Sequence, residues 1–161
     1  MGLGQPVEPR ARLRWEIETV ADRFRGLSEA RLAGPIPYLP PRPEGPGGAE
    51  RPRPAPPVTA RRPRGRPQTR AERGIELAQR LADAAAGVAG RYANRAQRAP
   101  AVPAISVFAV GEQVAVTGHD LLSELADVRD DDLVWDRDDR MHAIELVILI
   151  TKELKQVRLA L

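Results

Sequence analysis

The segment from residue 35 to residue 67 limits what this chain can fold into more than any other stretch. Of its 33 residues, twelve are Pro, seven are Arg and four are Gly, and large apolar side chains are almost absent. Such a composition cannot bury enough surface to offset the entropy of ordering the chain, so the segment reads as a disordered basic linker with extended, polyproline-like stretches. It divides the 161-residue chain into residues 10–33 and residues 69–161. Only those two parts can supply a core, which must be that of a smaller protein than the length suggests. "PIPYLPP" at the start of the linker is the exception: Ile36, Tyr38 and Leu39 are suited to docking on the body or to an aromatic-lined groove of a partner.

Both flanking parts carry helical patterning. In "RLRWEIETVADRFRGLSEARL", Leu13, Ile17, Val20, Phe24 and Leu27 recur at steps of four and three, which predicts an amphipathic helix over residues 10–33. Arg12, Glu16, Arg23 and Glu29 are left for solvent, and Gly34-Pro35 stops the helix. After the linker, Thr69-Arg70-Ala71-Glu72 is a capping box, in which the Thr hydroxyl and the Glu carboxylate each satisfy an orphan N–H. The helix it starts, "AERGIELAQRLADAAAGVAGRYANRAQR", repeats apolar residues at Leu77 or Ala78, Leu81, Ala84 or Ala85, Val88 and Tyr92. Gly74, Gly87 and Gly90 leave room for a partner helix to come close.

Two readings compete for "AISVFAVGEQVAVTGHDLLSELA". A helix begun by Pro103 aligns Val107, Val110, Val114, Thr117 or Gly118, Leu121 and Leu125, with Gly111, Ala115 and Gly118 as a small-residue groove. A hairpin over residues 105–117 instead uses Gly111-Glu112 as its turn. The seven-step apolar register running through both halves favours the helix. In "RMHAIELVILITKELKQVRLAL", Asp138 or Asp139 is the expected cap, and Met141, Ile144, Ile148 and Thr151 share a face. With Leu146, Leu149 and Ile150 on another side, this helix is expected to be central, with Lys152, Lys155 and Arg158 near its dipole end. Aromatic residues make up only 4% of the chain, which suits helix-on-helix packing by aliphatic side chains. The expected fold is therefore all-α, a small helical bundle interrupted by the long Pro/Arg-rich linker. The alternative is α+β with the hairpin at 105–117.

Several function classes receive no support. The absence of cysteine excludes disulfides, thiolate metal sites and thiol catalysis. The N-terminus "MGLGQPVEPR" lacks an apolar signal region, and Pro6 breaks the myristoylation pattern. The longest apolar run, "LVILI", falls far short of the roughly 20 residues that span a bilayer, so no membrane partner and a cytoplasmic location are expected. His119-Asp120 and His142 with Glu145 lack a third metal ligand. The acidic stretch Asp127, Asp130, Asp131, Asp132, Asp136, Asp138 and Asp139 lacks the central Gly and distal Glu of a calcium loop. Trp15 and Trp135 lie off the apolar stripes and read as core-edge residues or interface anchors. No phosphate-cradling loop or nucleophile elbow occurs, so neither an enzyme nor a cofactor is expected.

Charge gives the positive signal. Residues 35–73 carry nine Arg against three acids, while residues 119–161 carry six bases against eleven acids. A polyanion-binding segment attached to a body that does not itself favour DNA is the expectation, and the acidic stretch is a candidate competitor for the linker's arginines. Within the basic segment stands "RRPRGRPQT". Gly65 has no side chain to strike a groove floor, so Arg64 and Arg66 can extend along a narrow A·T minor groove whose negative potential attracts guanidinium groups. Pro63 and Pro67 hold the flanking backbone extended, and Arg61 and Arg62 are placed to meet phosphates.

These residues resemble the AT-hook, the minor-groove reader of high-mobility-group A chromatin proteins. The resemblance covers residues 61–69 and departs from the family at Gln68-Thr69, where a basic residue is usual. It implies DNA binding at A·T-rich sites through Arg61, Arg62, Pro63, Arg64, Gly65, Arg66 and Pro67. The expected function is a DNA-associated accessory or architectural protein whose helices serve oligomerisation or a helical protein partner. The rival is a structural or adaptor module whose linker is only a spacer.

Overall fold

The computed structural model describes residues 8–36, 67–103 and 106–161. The first helix, α1 (Pro9–Arg25), forms where the apolar stripe lies. The Glu8 carboxylate caps it by accepting from the backbone N–H of Arg10 at 3.0 Å and of Ala11 at 2.6 Å. Leu13, Ile17, Val20 and Phe24 are buried. The helix expected to continue to residue 33 stops at Gly26, whose N–H closes on the Asp22 carbonyl at 3.0 Å. A separate turn, α2 (Glu29–Leu32), then carries Leu32 into the core. Gly26 and Ser28 are both poor residues for a helix interior, and breaking there lets Leu32 turn inward.

Helix α3 (Arg70–Ala89) begins on the expected capping box: the Glu72 N–H donates to Thr69 Oγ1 at 3.1 Å, and the Thr69 N–H donates to Glu72 Oε2 at 2.7 Å. It ends earlier than its sequence pattern suggested, at Gly90, and Tyr92 is 85% exposed rather than on the buried face. The chain then runs back along α3 as an extended strap. The Ala99 N–H donates to Asp83 Oδ1 at 3.1 Å, the Val102 N–H donates to Gln79 Oε1 at 2.7 Å, and the Gln113 amide donates to the Pro103 carbonyl. The strap returns the chain to the end where α3 began, which makes α4 parallel to α3.

Residues Val107–Ala109 form a 3-10 turn leading into α4 (Val110–Leu125). The hairpin alternative at 105–117 is thus overturned in favour of the helix, which starts later than Pro103. Val110, Val114, Thr117, Gly118, Leu121 and Leu125 form its buried face. The small-residue groove sets how closely α4 lies on α1: a Cβ at Gly118 would stand 2.4 Å from Ile17 Cγ2, and one at Gly111 would stand 2.9 Å from the Ala21 carbonyl oxygen. Such close packing needs a residue with no side chain. Gly111 meets the C-terminal part of α1 and Gly118 its middle, so the two helices run antiparallel.

The all-α expectation requires one correction. Strands β1 (Leu133–Asp136) and β2 (Asp139–His142) pair antiparallel, with Val134 opposite Met141 and Trp135 opposite Arg140. Their two-residue turn is Arg137-Asp138, and Arg137 takes a φ of 56°, a left-handed conformation that usually selects glycine. Helix α5 (Ala143–Ala160) follows directly. Its cap is His142, not Asp138 or Asp139, which lie in the hairpin. The buried face is Ala143, Leu146, Val147, Ile150, Thr151, Leu154 and Val157, and Ile148 points outward. The helix packs chiefly on α1 instead of taking the central place expected of it.

Three ion pairs, made by two arginines, join elements that are distant in sequence. Glu16, expected to face solvent, is fully buried, and Arg158 donates to it from Nε at 2.8 Å while its guanidinium stacks on the Trp15 ring. Arg80, on α3, holds Asp136 of β1 through two bonds of 2.7 and 3.1 Å and Glu153 of α5 through a third of 3.0 Å. At the other face, Arg10 donates to the Leu125 and Val128 carbonyls, each at 2.6 Å, and so closes the C-terminus of α4.

Candidate nucleic-acid interface

The minor-groove reader expected from the sequence falls at the edge of the described structure. Arg61, Arg62, Pro63, Arg64, Gly65 and Arg66 lie outside the described residues, as does all of 37–66; Pro67 is described and exposed. The structure does position the root from which that segment leaves and to which it returns. Pro35 pairs with Thr69 in an isolated antiparallel bridge. The Ile36 N–H donates to the Gln68 carbonyl at 3.0 Å, and the Arg70 N–H donates to the Gly34 carbonyl at 3.2 Å. Arg70 locks the same junction with its side chain, donating from Nη1 to the Pro35 carbonyl at 3.1 Å and to the Arg31 carbonyl at 3.3 Å. Ile36, the first apolar residue of "PIPYLPP", is half-buried there, while Tyr38 and Leu39 lie outside the described residues.

This root sits at the end of the bundle where α1 finishes and α3 and α4 begin. A Cβ at Gly74, one turn into α3, would meet both Val110 and the Phe24 ring. The cations nearby differ in how fully they are occupied. Arg25 donates to both carboxylate oxygens of Glu112, at 2.7 and 2.9 Å, and to Asp22 at 2.8 Å. Its hydrogen bond holds the Glu112 carboxyl below the usual carboxylate range, and the same bonds push the Arg25 guanidinium up. Arg73 pairs with Glu76 at 3.3 Å. Arg31 is exposed, and its guanidinium makes no hydrogen bond or ion pair among the described residues.

The other candidate residues are mostly occupied. The Glu145 carboxylate accepts from the His142 N–H at 2.8 Å, and His142 Nδ1 lies 2.9 Å from the Asp131 carbonyl, which can only accept. The His-x-x-Glu spacing is therefore a helix cap. His119 and Asp120 are exposed on α4. Among the described residues no group of three or more His, Asp or Glu side chains is placed to hold a metal ion. Much of the acidic stretch is paired with arginines of the body: Asp130 with Arg10, Asp131 with Arg129, Asp136 with Arg80 and Asp138 with Arg98. Trp135 donates its indole N–H to the Ala93 carbonyl at 3.2 Å, with Arg140 over its ring.

One basic feature escaped sequence reasoning. Lys152, Lys155 and Arg158 read together as the dipole-compensating end of α5, but Arg158 turns inward to Glu16. Lys152 and Lys155 instead line an outward groove of about 330 Å³ with Pro9, Arg12, Ile148 and Thr151. The spacing of Ile148, Lys152 and Lys155 is the signal that could have found it, since steps of four and three keep side chains on one face. No described helix is long and apolar enough to cross a membrane. Comparison with protein-family models, with curated proteins and with solved structures finds no match.

Proposed function

We propose that this chain is a cytoplasmic, DNA-associated accessory or architectural protein, in which a helical body carries an A·T minor-groove reader centred on Arg64 and Arg66. The observation that supports this most is the closed root. Pro67, the last residue of the AT-hook-like motif, stands two positions before Thr69, which is both paired to Pro35 and the cap of α3. The motif is therefore tethered to a rigid helix over very few residues, which lowers the ordering cost of presenting it to a duplex. A single short hook binds weakly alone, so useful affinity calls for a second contact supplied by the body or by its partner.

The test is fluorescence anisotropy of labelled A·T-rich and G·C-rich duplexes, with the full chain and with Arg64→Ala/Arg66→Ala, across a salt series. The full chain should prefer the A·T duplex. Arg61→Ala/Arg62→Ala, which removes the residues placed to meet phosphates, should flatten the slope of log K against log salt by about 0.9 for each pairing lost. Equal affinity for the two duplexes, or an unaffected double variant, refutes the reading. An adaptor function is the second reading, favoured by the exposed stripe of α5.

A further inference from the structure

We propose that the outward face of α5, together with Arg12 of α1, docks an acidic amphipathic helix belonging to a partner protein. This does not rest on DNA binding. The stripe consists of Ile148, Lys152, Lys155 and Leu159, spaced by four, three and four residues, so all four lie within a narrow arc of the helix. All four are exposed, Ile148 by 43% and Leu159 by 64%. This is the seam pattern of a helix that packs on another helix, with apolar residues at the ends and cations in the middle. Along α5 the seam runs from Ile148 to Leu159, about 16 Å. Pro9 and Arg12 form its second wall, so a visiting helix meets a groove and not a bare cylinder.

The charge of the groove selects its occupant. Among the described residues its lining holds three cations and no carboxylate. Arg12, Lys152 and Lys155 make no side-chain hydrogen bond or ion pair among the described residues, and Arg12 Nε is buried without a partner. Elsewhere in the body Arg10, Arg25, Arg80 and Arg158 are each tied to a carboxylate. A second copy of α5 is a poor occupant. Parallel pairing sets Lys152 against Lys152 and Lys155 against Lys155, and antiparallel pairing about the same centre sets Lys152 against Lys155. Like charges at a seam act against self-association and in favour of a complementary partner. A nucleic acid duplex would leave Ile148 and Leu159 without an apolar counterpart. A lipid surface calls for a broad apolar face, whereas the apolar side of α5 is spent on the core.

The probe is a labelled three-heptad peptide with Leu at the seam ends and Glu at the two central seam positions. Its controls are a twin with Lys in place of those Glu residues and a scrambled peptide of the acidic composition. Anisotropy with the full chain should show binding of the acidic peptide at least tenfold tighter than of either control. Lys152→Glu/Lys155→Glu should weaken the acidic peptide at least tenfold and tighten the basic twin. Ile148→Ser/Leu159→Ser should weaken the acidic peptide while circular dichroism shows the chain still folded, because neither side chain belongs to the buried core. Arg64→Ala/Arg66→Ala should leave peptide binding intact, which keeps this test separate from that of the DNA reading. The proposal is overturned if the scrambled peptide binds equally well or if the charge swap has no effect. It is also overturned if the chain binds phosphatidylserine vesicles but neither peptide, or if sedimentation reveals a dimer that Ile148→Ser/Leu159→Ser dissolves.

Discussion

An alanine at position 87 probes how the hairpin sits on α3. A Cβ there would lie 2.2 Å from the Trp135 carbonyl oxygen and 3.1 Å from its carbon. Ordinary contact is near 3.4 Å, so β1 must withdraw by about 1 Å, and the atom in the way is backbone, which cannot rotate aside. Asp136 is the next residue, and its bonds to Arg80 of 2.7 and 3.1 Å stretch out of hydrogen-bonding range under such a shift. Alanine gains about 1 kcal/mol over glycine in a helix interior. Against this stand about 1–3 kcal/mol of overpacking and part of the roughly 3–5 kcal/mol that breaking a buried ion pair costs.

The net expectation for Gly87→Ala is a loss of about 2–4 kcal/mol, or a Tm lower by about 10 °C for a body of this size. Gly26→Ala is the internal control. There φ is −78° and the nearest atom to a new Cβ is 3.5 Å away, so this variant should be as stable as the parent or gain about 0.5 kcal/mol. Urea and thermal unfolding followed by circular dichroism and tryptophan fluorescence measure both. If Gly87→Ala is no less stable than Gly26→Ala, the hairpin does not rest on α3 as described.

The ion pairs give two further tests. Arg158→Met should cost about 3–5 kcal/mol in urea unfolding, because it leaves the buried Glu16 charge without a partner. Glu16→Leu/Arg158→Met should recover most of that loss, since an apolar pair of similar volume avoids the desolvation penalty. The Glu112 carboxyl is held low by the Arg25 hydrogen bond, so its folded-state titration lies below that of the unfolded chain. Its contribution is fully present above the ordinary glutamate range of about pH 4 to 4.5 and is lost as pH falls through the lowered folded value. The difference in urea midpoint between the parent and Glu112→Gln should therefore be larger at pH 6 than at pH 2.5. A difference that does not change with pH contradicts this.

Local chemistry determined much of the fold in advance. The stripe Leu13, Ile17, Val20 and Phe24 made α1 legible, the Thr69–Glu72 box located the start of α3, and the register from Val110 to Leu125 identified α4 over the hairpin. Each is a signal carried within a single helix or its cap, where periodicity and capping act. Glu16 and Asp136 mark where that logic ends. Both are acids that sequence pattern sends to solvent, and both are buried because an arginine arrives from far along the chain, Arg158 for the first and Arg80 for the second.

The hairpin was hidden for the same reason. Its inward Asp136 breaks the apolar alternation of a strand, and its Arg137-Asp138 turn lacks the glycine or asparagine that announces one. The candidate interface divides in the same way. Sequence alone singles out Arg64-Gly65-Arg66 as a motif, since recognition of a narrow groove needs only a few contiguous residues. Tertiary structure alone joins Pro35 to Thr69 at the root and sets Arg12 beside Lys152 and Lys155, because the cost of bringing such groups together is met by a core assembled from the whole chain.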